Sequence, residues 1–519
     1  MPPQAPTTDN KKIPPSGVGD FFKKITYGIG SVAYGVKDQG FSYFLLFFYN
    51  QVHGASSELV GRAIAIALFL DAFLDPVIGQ ISDNFRSRWG RRHPFMYASV
   101  IPVTLSYFFL WNPPRLYGQD LFLYLVTVIV LVRTFISIYE IPSSALVAEI
   151  TSDYDERTSF LAFRYFFSWM GGISMSLISF GVLFTATEKY PIGQLNPVAY
   201  FNYSLIACTF IASAILISSV GTHKLIPTFT QPPVGRVGLG RALGDMFQSF
   251  RNRSFIALTI SSIFSAIAAG TLAALSNYFN TFYWGLDAGQ ILLLNTTAII
   301  APIIALLVSP YVSERMGKKR ATFLLWVISA AFGWTPLIGR MAGFFPGNGT
   351  AMLLPLLAFC QTVGIAFSIA CSIVISSMLA DVVEDSQKTT GRRSEGLFFS
   401  SNAFVLKAVS GMGILVATQM LEFAHFPQGA DPATLDPAIP KNLARIYVPV
   451  TFVFYAVALF CLKFYGINKA SHRENLRQII ADEVIFSPSV GLDGIHSAEH
   501  GGPLDNLLHG DDDQDRALP

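Results

Sequence analysis

Twelve long apolar runs dominate the 519-residue chain, at approximately 25–50, 59–82, 94–112, 120–147, 160–185, 199–222, 255–283, 288–312, 321–342, 351–380, 396–424 and 445–467. Each is close to or above the roughly 20 residues needed to cross a hydrocarbon core about 30 Å thick. The runs are apolar all round rather than alternating, which suits lipid-embedded helices and not the strands of a membrane barrel. Only 13% of the residues are charged, against about 25% in ordinary soluble proteins. That is too little polar surface to coat a water-exposed globule. The expected fold is an all-α integral membrane protein with twelve transmembrane helices.

The basic residues orient those helices. With the N-terminus inside, cytoplasmic segments hold 25 of the 36 Lys and Arg residues. Outer loops hold five (Arg115, Lys189, Arg340, Lys441 and Arg445), and six fall within spans (Lys37, Arg62, Arg133, Arg164, Lys407 and Lys463). This asymmetry predicts cytoplasmic N- and C-termini. The expected organisation is a tail over 1–20, a six-helix bundle over 21–222, a cytoplasmic linker over 223–254, a second six-helix bundle over 255–467 and a tail over 468–519. No cleavable signal is read at the start. In the last tail, Ser471-x-x-Glu474 forms a capping box ahead of an apolar stripe, which predicts a short helix before a disordered end. A basic, glycine-containing loop recurs in the two halves, Arg86-Ser-Arg-Trp-Gly90-Arg-Arg and Ser313-Glu-Arg-Met-Gly317-Lys-Lys-Arg320. Such a repeat fits a duplicated six-helix unit.

Charges within the apolar runs carry the functional signal. A charge at the centre of a membrane helix costs about 2.5–3.5 kcal/mol on insertion scales, so it needs a partner or a wet cavity. Asp71 and Asp75 are four residues apart and share one helix face. Their mutual repulsion falls when a cation binds between them or one is protonated. This predicts a site for Na⁺, Li⁺ or H⁺, with Ser137 adding a hydroxyl oxygen. Lys37, Asp38, Glu140 and Arg164 supply donors and acceptors for a polar ligand such as a sugar; the same charges could instead pair with each other, Asp38 with Arg164 for instance. Lys407 is a cation deep in the second half. Asp83 with Arg88, Arg91 and Arg92, and Glu384 with Arg392 and Glu395, form two polar clusters at the cytoplasmic ends, expected to open and close as gates.

In order and spacing, Tyr34-Gly-Val-Lys-Asp38, Asp71-x-x-x-Asp75-Pro-x-x-Gly79, Arg88-Trp-Gly-Arg-Arg92, Glu140-Ile-Pro, Arg164-x-Phe-Phe and Gly391-Arg-x-x-Glu395-Gly, with Lys407 beyond them, span about 35–410. This set resembles the glycoside–pentoside–hexuronide:cation symporters of the major facilitator superfamily, the melibiose permease-like family. The resemblance implies alternating access between two bundles, a cation pair at Asp71 and Asp75, sugar-binding positions at Asp38, Glu140 and Arg164, and a helix-11 lysine at Lys407. Glu140 stands where melibiose permeases carry Asp. Ser144 stands where they carry a Trp that stacks on the sugar, and 351–380 holds no Trp or Tyr to replace it. The carboxylate pair and the lysine are also similar to those of sodium-dependent lysophospholipid symporters.

The expected function is cation-coupled sugar symport, with Na⁺ or H⁺ as the coupling ion and no further cofactor. Lysolipid symport is the alternative, and a non-transporting membrane sensor a more distant one. The expected setting is the cell (inner) membrane, as a monomer. A net charge of +2 gives no basic field for nucleic acid. No Ser/His/Asp set or metal cluster lies within the spans, which argues against an enzyme. The four cysteines show no CxxC spacing and no nearby histidine, so neither a disulfide framework nor a zinc site is expected.

Overall fold

The computed structural model describes residues 18–151, 154–226, 252–390 and 411–467, together with Phe250 and a few positions between 398 and 409. The 1–17 tail, most of the proposed linker and the 468–519 tail with its capping box lie outside the described residues. So do Arg392, Glu395 and Lys407.

The described chain is helical throughout. In order, the helices are α1 (Val18–Ile29), α2 (Ser31–Gln39), α3 (Ser57–Asn84), α4 (His93–Trp111), α5 (Gly118–Ala145), α6 (Val147–Ile150), α7 (Tyr154–Ile178) and α8 (Pro197–His223). The second half contains α9 (Arg253–Tyr278), α10 (Ala288–Thr297), α11 (Ala301–Met316), α12 (Lys318–Met341), α13 (Leu353–Thr390), α14 (Met412–Phe423) and α15 (Ala438–Leu462). Ten helical stretches among the described residues are long and apolar enough to cross a membrane, and α14 is a shorter apolar helix. The expected count of twelve differs at two places. The first run is one helical path broken into segments, with π-helical turns at Gly40–Phe44 and Phe48–Val52. The eleventh run is described mainly over α14.

Two boundaries also differ from expectation. Helix α13 continues to Thr390, past the expected end of the tenth apolar run at 380, so Asp381, Glu384 and Asp385 lie on a helix. Helix α15 begins at Ala438, which places Lys441 and Arg445 on its first turns instead of in an outer loop.

Within the first half, α3 packs on α5, α5 on α4, α4 on α8, and α1 and α2 on both α7 and α8. The second half shows related packing, with α13 against α11 and α12, and α9 against α14 and α15. Lipid offers apolar groups as good a solvent as the protein, so close backbone approach carries much of the helix association. Gly35 shows this directly. A Cβ built there would lie 1.7 Å from the Ser168 carbonyl oxygen of α7, and Gly171 meets the Val32 backbone in return. A denser aromatic cluster closes one end of the first half. Phe48 lies 4.7 Å from Tyr200, and Trp111 stacks on Tyr200 at 6.0 Å and 14°.

The halves join at that same end. Asn277 donates to the Tyr43 carbonyl at 2.7 Å, Tyr278 donates to Asn50 Oδ1 at 2.9 Å, and Gln194 donates to Thr281 at 3.0 Å. Gln51 donates to the Pro427 carbonyl at 3.0 Å and accepts from the Ala430 N–H at 3.0 Å. These contacts sit at the ends of the helices opposite the two basic loops.

The close α2–α7 approach makes a direct prediction. Gly35→Ala should lower the melting temperature of the purified protein sharply, since overpacking costs about 1–3 kcal/mol. Gly364→Ala, whose Cβ would meet its nearest atom at an ordinary 3.5 Å, should melt near wild type. Equal melting of the two variants would contradict the packing described.

Candidate functional site

Helix α5 organises the buried charges of the first half. It carries Arg133 and Glu140 seven residues apart, close to two helical turns and therefore on a similar face. Arg133 reaches α3, where its Nη2 and Nε donate to Asp71 Oδ2 at 2.5 and 3.1 Å. Glu140 reaches α7, where Arg164 donates to its Oε1 at 2.5 Å and to Ser143 Oγ at 2.8 Å. One helix thus supplies the cation of one pair and the anion of the next. Asp71 and Arg164 are both buried, at 5% and 6% exposure. Pairing is what such burial requires, because an isolated charge in hydrocarbon is far costlier than a neutralised one.

Each pair keeps an unused acceptor. Asp71 Oδ1 and Glu140 Oε2 are buried and accept no hydrogen bond among the described residues. Pro76, inside α3, has no N–H, so the carbonyl of residue 72 loses its helical donor between the two aspartates. Pro142 does the same one turn beyond Ile138 on α5. Ser137 is buried on α5, one turn from Arg133. Asp75 lies four residues from Asp71 and is half-buried. The region is rich in hard oxygen atoms, with two carboxylates, a hydroxyl and a freed carbonyl on neighbouring helix turns.

The first helical path brings a second group of residues to α5. Lys37 lies 3.5 Å from Asp38 and 4.3 Å above the Tyr34 ring. Asp38 is exposed, its side chain 52% accessible, while the Lys37 side chain is 6% accessible. The Arg164 guanidinium lies 5.3 Å from the centre of the Tyr27 ring. Tyr34 is within electrostatic reach of Asp38, Glu140, Arg133 and Asp71 together, so the residues expected for a cation and those expected for a sugar converge on one region. Arg164 pairs with Glu140 and not with Asp38, the partner suggested from the sequence. Sequence reasoning left Arg133 unassigned and gave Tyr27 and Tyr34 no role. The signal for Arg133 was present, since a guanidinium that deep in an apolar run must find a carboxylate.

The basic loops are held in matching ways. Gly90 and Gly317 both adopt positive φ, +74° and +75°, a conformation glycine reaches without Cβ strain. Each turns the chain sharply into the next helix. Glu149, on α6, accepts from Arg91 at 2.6 Å and from Arg92 at 2.5 Å, while Arg92 also donates to Asp83 at 2.9 Å. In the second half Asp381 of α13 accepts from Lys318 at 2.6 Å and from Tyr465 at 3.2 Å. Glu149 was missed from the sequence; its counterpart after the tenth apolar run, Asp381, was the available clue. Arg88 instead lies over the exposed Trp89 ring at 5.6 Å. Glu384 lies on α13, one turn beyond Asp381.

A cavity of about 870 Å³ opens at the other end, where the halves meet, lined by Phe184, Ile192, Tyr283, Leu286, Arg340 and Lys441 among others. It contains none of the charge-cluster residues. Its Asp287 caps α10 and its Arg340 is held by the Pro346 carbonyl and by Asn348. These polar groups have structural partners, so the charge cluster, not this cavity, is the candidate site.

Residues 26–469 match the model of the MFS/sugar transport protein family. The chain belongs to that family. It is a multi-pass membrane transporter rather than an enzyme, and the resemblance carried by its motifs is borne out. It is 25% identical to the putative glycoside/cation symporter YagG of Escherichia coli, over 88% of this chain and 94% of that protein. It is 23% identical to the sodium-dependent lysophosphatidylcholine symporter 1-A of Danio rerio, over 88% of each chain. Among solved structures it is similar to the inward-open xylose transporter XylE from E. coli, with a TM-score of 0.56 at 14% identity, covering 89% of this chain and 99% of that one. That likeness shows the major facilitator fold.

The Glu149 hub makes a testable contrast. Breaking a buried ion pair costs about 3–5 kcal/mol, so Glu149→Gln should lower the melting temperature markedly. Arg88→Gln, at an exposed ring contact, should change stability by no more than about 0.5 kcal/mol. A Glu149→Gln protein that melts like wild type would contradict the assignment of Glu149 as the loop anchor.

Proposed function

We propose that this transporter is a cation-coupled symporter of a sugar or glycoside, working by alternating access of two six-helix halves, 21–222 and 255–467. In this reading twelve helices cross the cell (inner) membrane with both termini in the cytoplasm. Asp71 and Asp75, with Ser137, hold the coupling cation, Na⁺ or H⁺. Lys37, Asp38, Glu140 and Arg164 hold the sugar hydroxyls, with Tyr27 and Tyr34 as aromatic walls. The observation that carries the reading is the pair of half-satisfied carboxylates anchored on α5, each with one buried, unused oxygen. Each keeps a desolvated oxygen whose cost a ligand would remove.

The order of events follows from charge. Without a cation the site keeps a desolvated carboxylate oxygen on Asp71, which disfavours moving it through a closed, dry state. Cation binding satisfies it, sugar binding fills the pocket, and the loaded halves rock to the opposite side. The hydrogen bonds between halves at the Tyr43–Asn277 and Gln51–Pro427 end support an inward-facing state, closed outside. Asp83, Arg88, Arg91 and Arg92 in one half, with Glu384, Arg392 and Glu395 in the other, would make and break contacts as the inner side closes. Lys407 would face the carboxylates from the second half. The transporter works as a monomer, with a small-molecule substrate, the surrounding bilayer and no cofactor beyond the coupling ion.

A second reading, symport of a lysolipid, draws support from the likeness to the lysophosphatidylcholine symporter and from Ser144, which leaves the sugar-stacking position without an aromatic ring. The two readings separate in one experiment. Liposomes carrying the protein on a solid-supported membrane are challenged with glycosides, pentosides, hexuronates and lysophosphatidylcholine, with and without Na⁺ and at several pH values. A sugar-evoked, cation-dependent current that disappears in Asp75→Asn is expected. A current evoked only by the lysolipid would replace the sugar reading.

A further inference from the structure

We propose that Arg133 is a tethered competitor for the coupling cation: its guanidinium holds Asp71 while the site is empty of cation, and cation binding displaces it. This rests on the proposed reading of Asp71 and Asp75 as the cation site and adds the residue that sets the strength of that site.

The geometry is one of competition for a single atom. Both Arg133 donors converge on Asp71 Oδ2, at 2.5 and 3.1 Å. The other oxygen, Oδ1, is buried and accepts no hydrogen bond among the described residues. A guanidinium bound to a carboxylate usually grips both oxygens in a fork; here it grips one and leaves the other desolvated. A pair built only for structure would have little reason to leave that oxygen unsatisfied. A cation drawn to Asp71 would use Oδ1 together with the carbonyl of residue 72, freed by Pro76, and the carboxylate of Asp75. It would then sit against a fixed positive charge a few ångströms away and repel it.

The competitor cannot be removed by deprotonation. A guanidinium keeps its charge throughout the physiological range, so Arg133 leaves Asp71 only by moving. Its own helix offers it a destination. Glu140 lies two turns from Arg133 on a similar face of α5 and keeps a buried acceptor, Oε2. A displaced Arg133 carries its donors toward the residues that would bind sugar hydroxyls. Cation binding would thereby improve the sugar pocket by moving one side chain, a local route from ion to substrate.

The test uses the purified full-length protein in lipid nanodiscs and needs no substrate. Its melting temperature is followed while NaCl replaces choline chloride at constant ionic strength, and separately while pH is varied without Na⁺. Removing an adjacent opposite charge changes ion affinity at a carboxylate by one to three logarithmic units. Arg133→Gln should therefore lower the half-saturating Na⁺ concentration, or raise the midpoint pH of the proton response, by about ten- to a thousand-fold in cation activity. Arg133→Lys, whose ammonium grips a carboxylate as a point charge, should shift the same midpoint in the same direction by a smaller factor, and it serves if the Gln variant fails to fold. Asp71→Asn should abolish the response, alone or combined with Arg133→Gln. Unchanged or weakened cation response in both Arg133 variants, with the response still lost in Asp71→Asn, would overturn the competitor role and leave the cation site standing. A response that survives in Asp71→Asn, or a wild type that answers neither cation, would overturn the cation-site reading and the competitor with it.

Discussion

A charge placed in hydrocarbon must be neutralised, and α5 meets that constraint twice with opposite sign. Arg133 secures α3 through Asp71, and Glu140 secures α7 through Arg164. Helix α3 packs on α5 and the Arg164 side chain of α7 reaches it, so the first half is tied together across its middle by two largely buried ion pairs. Neither pair is a good stability device in itself. Desolvating two ions often costs as much as their attraction returns, and well-packed apolar residues would serve packing at least as well. Their value lies in being incomplete. Each leaves an acceptor oxygen buried and unused, so each can be improved by a ligand.

Around this centre the molecule divides its polar chemistry by depth. At one end an aromatic cluster and a set of interhalf hydrogen bonds clamp the halves together. At the other, each half keeps its own basic loop anchored to its own carboxylate, Glu149 in the first and Asp381 in the second. The matching positive-φ glycines, Gly90 and Gly317, and the matching loop anchors are what two copies of one structural unit would show. The correspondence fails in the membrane interior. The described ion pairs at mid-span belong to the first half, so the proposed function places ion and ligand chemistry on one side.

Much of the architecture was legible because lipid imposes a simple rule. Apolar length marks the spans, and the observed helix ends fall within a few residues of the apolar runs over most of the chain. The exceptions have physical causes. The first run contains Gly28, Gly30, Gly35 and Gly40, where close neighbours replace side-chain bulk, and its helix breaks into segments that composition does not reveal. Helix α13 runs past its apolar stretch through Glu384, Gln387 and Lys388, because polar residues with good helix propensity can continue a helix that apolar length alone would end. Of the site, Asp71, Glu140 and Arg164 were legible as intramembrane charges. Their partners were not, since a sequence lists charges without saying which helix faces which. Asp38 could pair with Arg164 as plausibly as Glu140 until α5 and α7 were placed. Glu149 was hidden for a related reason: one acidic residue at a helix end is unremarkable until two arginines from another loop converge on it.

If the two α5 pairs form one coupled site, cation and sugar must raise each other's affinity by the same factor, because linkage between two ligands is reciprocal. The most direct measurement is therefore a pair of equilibrium titrations on the same nanodisc sample. The affinity for the sugar that evokes the largest current is measured with and without saturating cation, and the cation affinity with and without saturating sugar. A shared factor of about fivefold or more is expected. A factor of one in both directions would show that the pairs around α5 hold helices together and do nothing to couple an ion to a substrate.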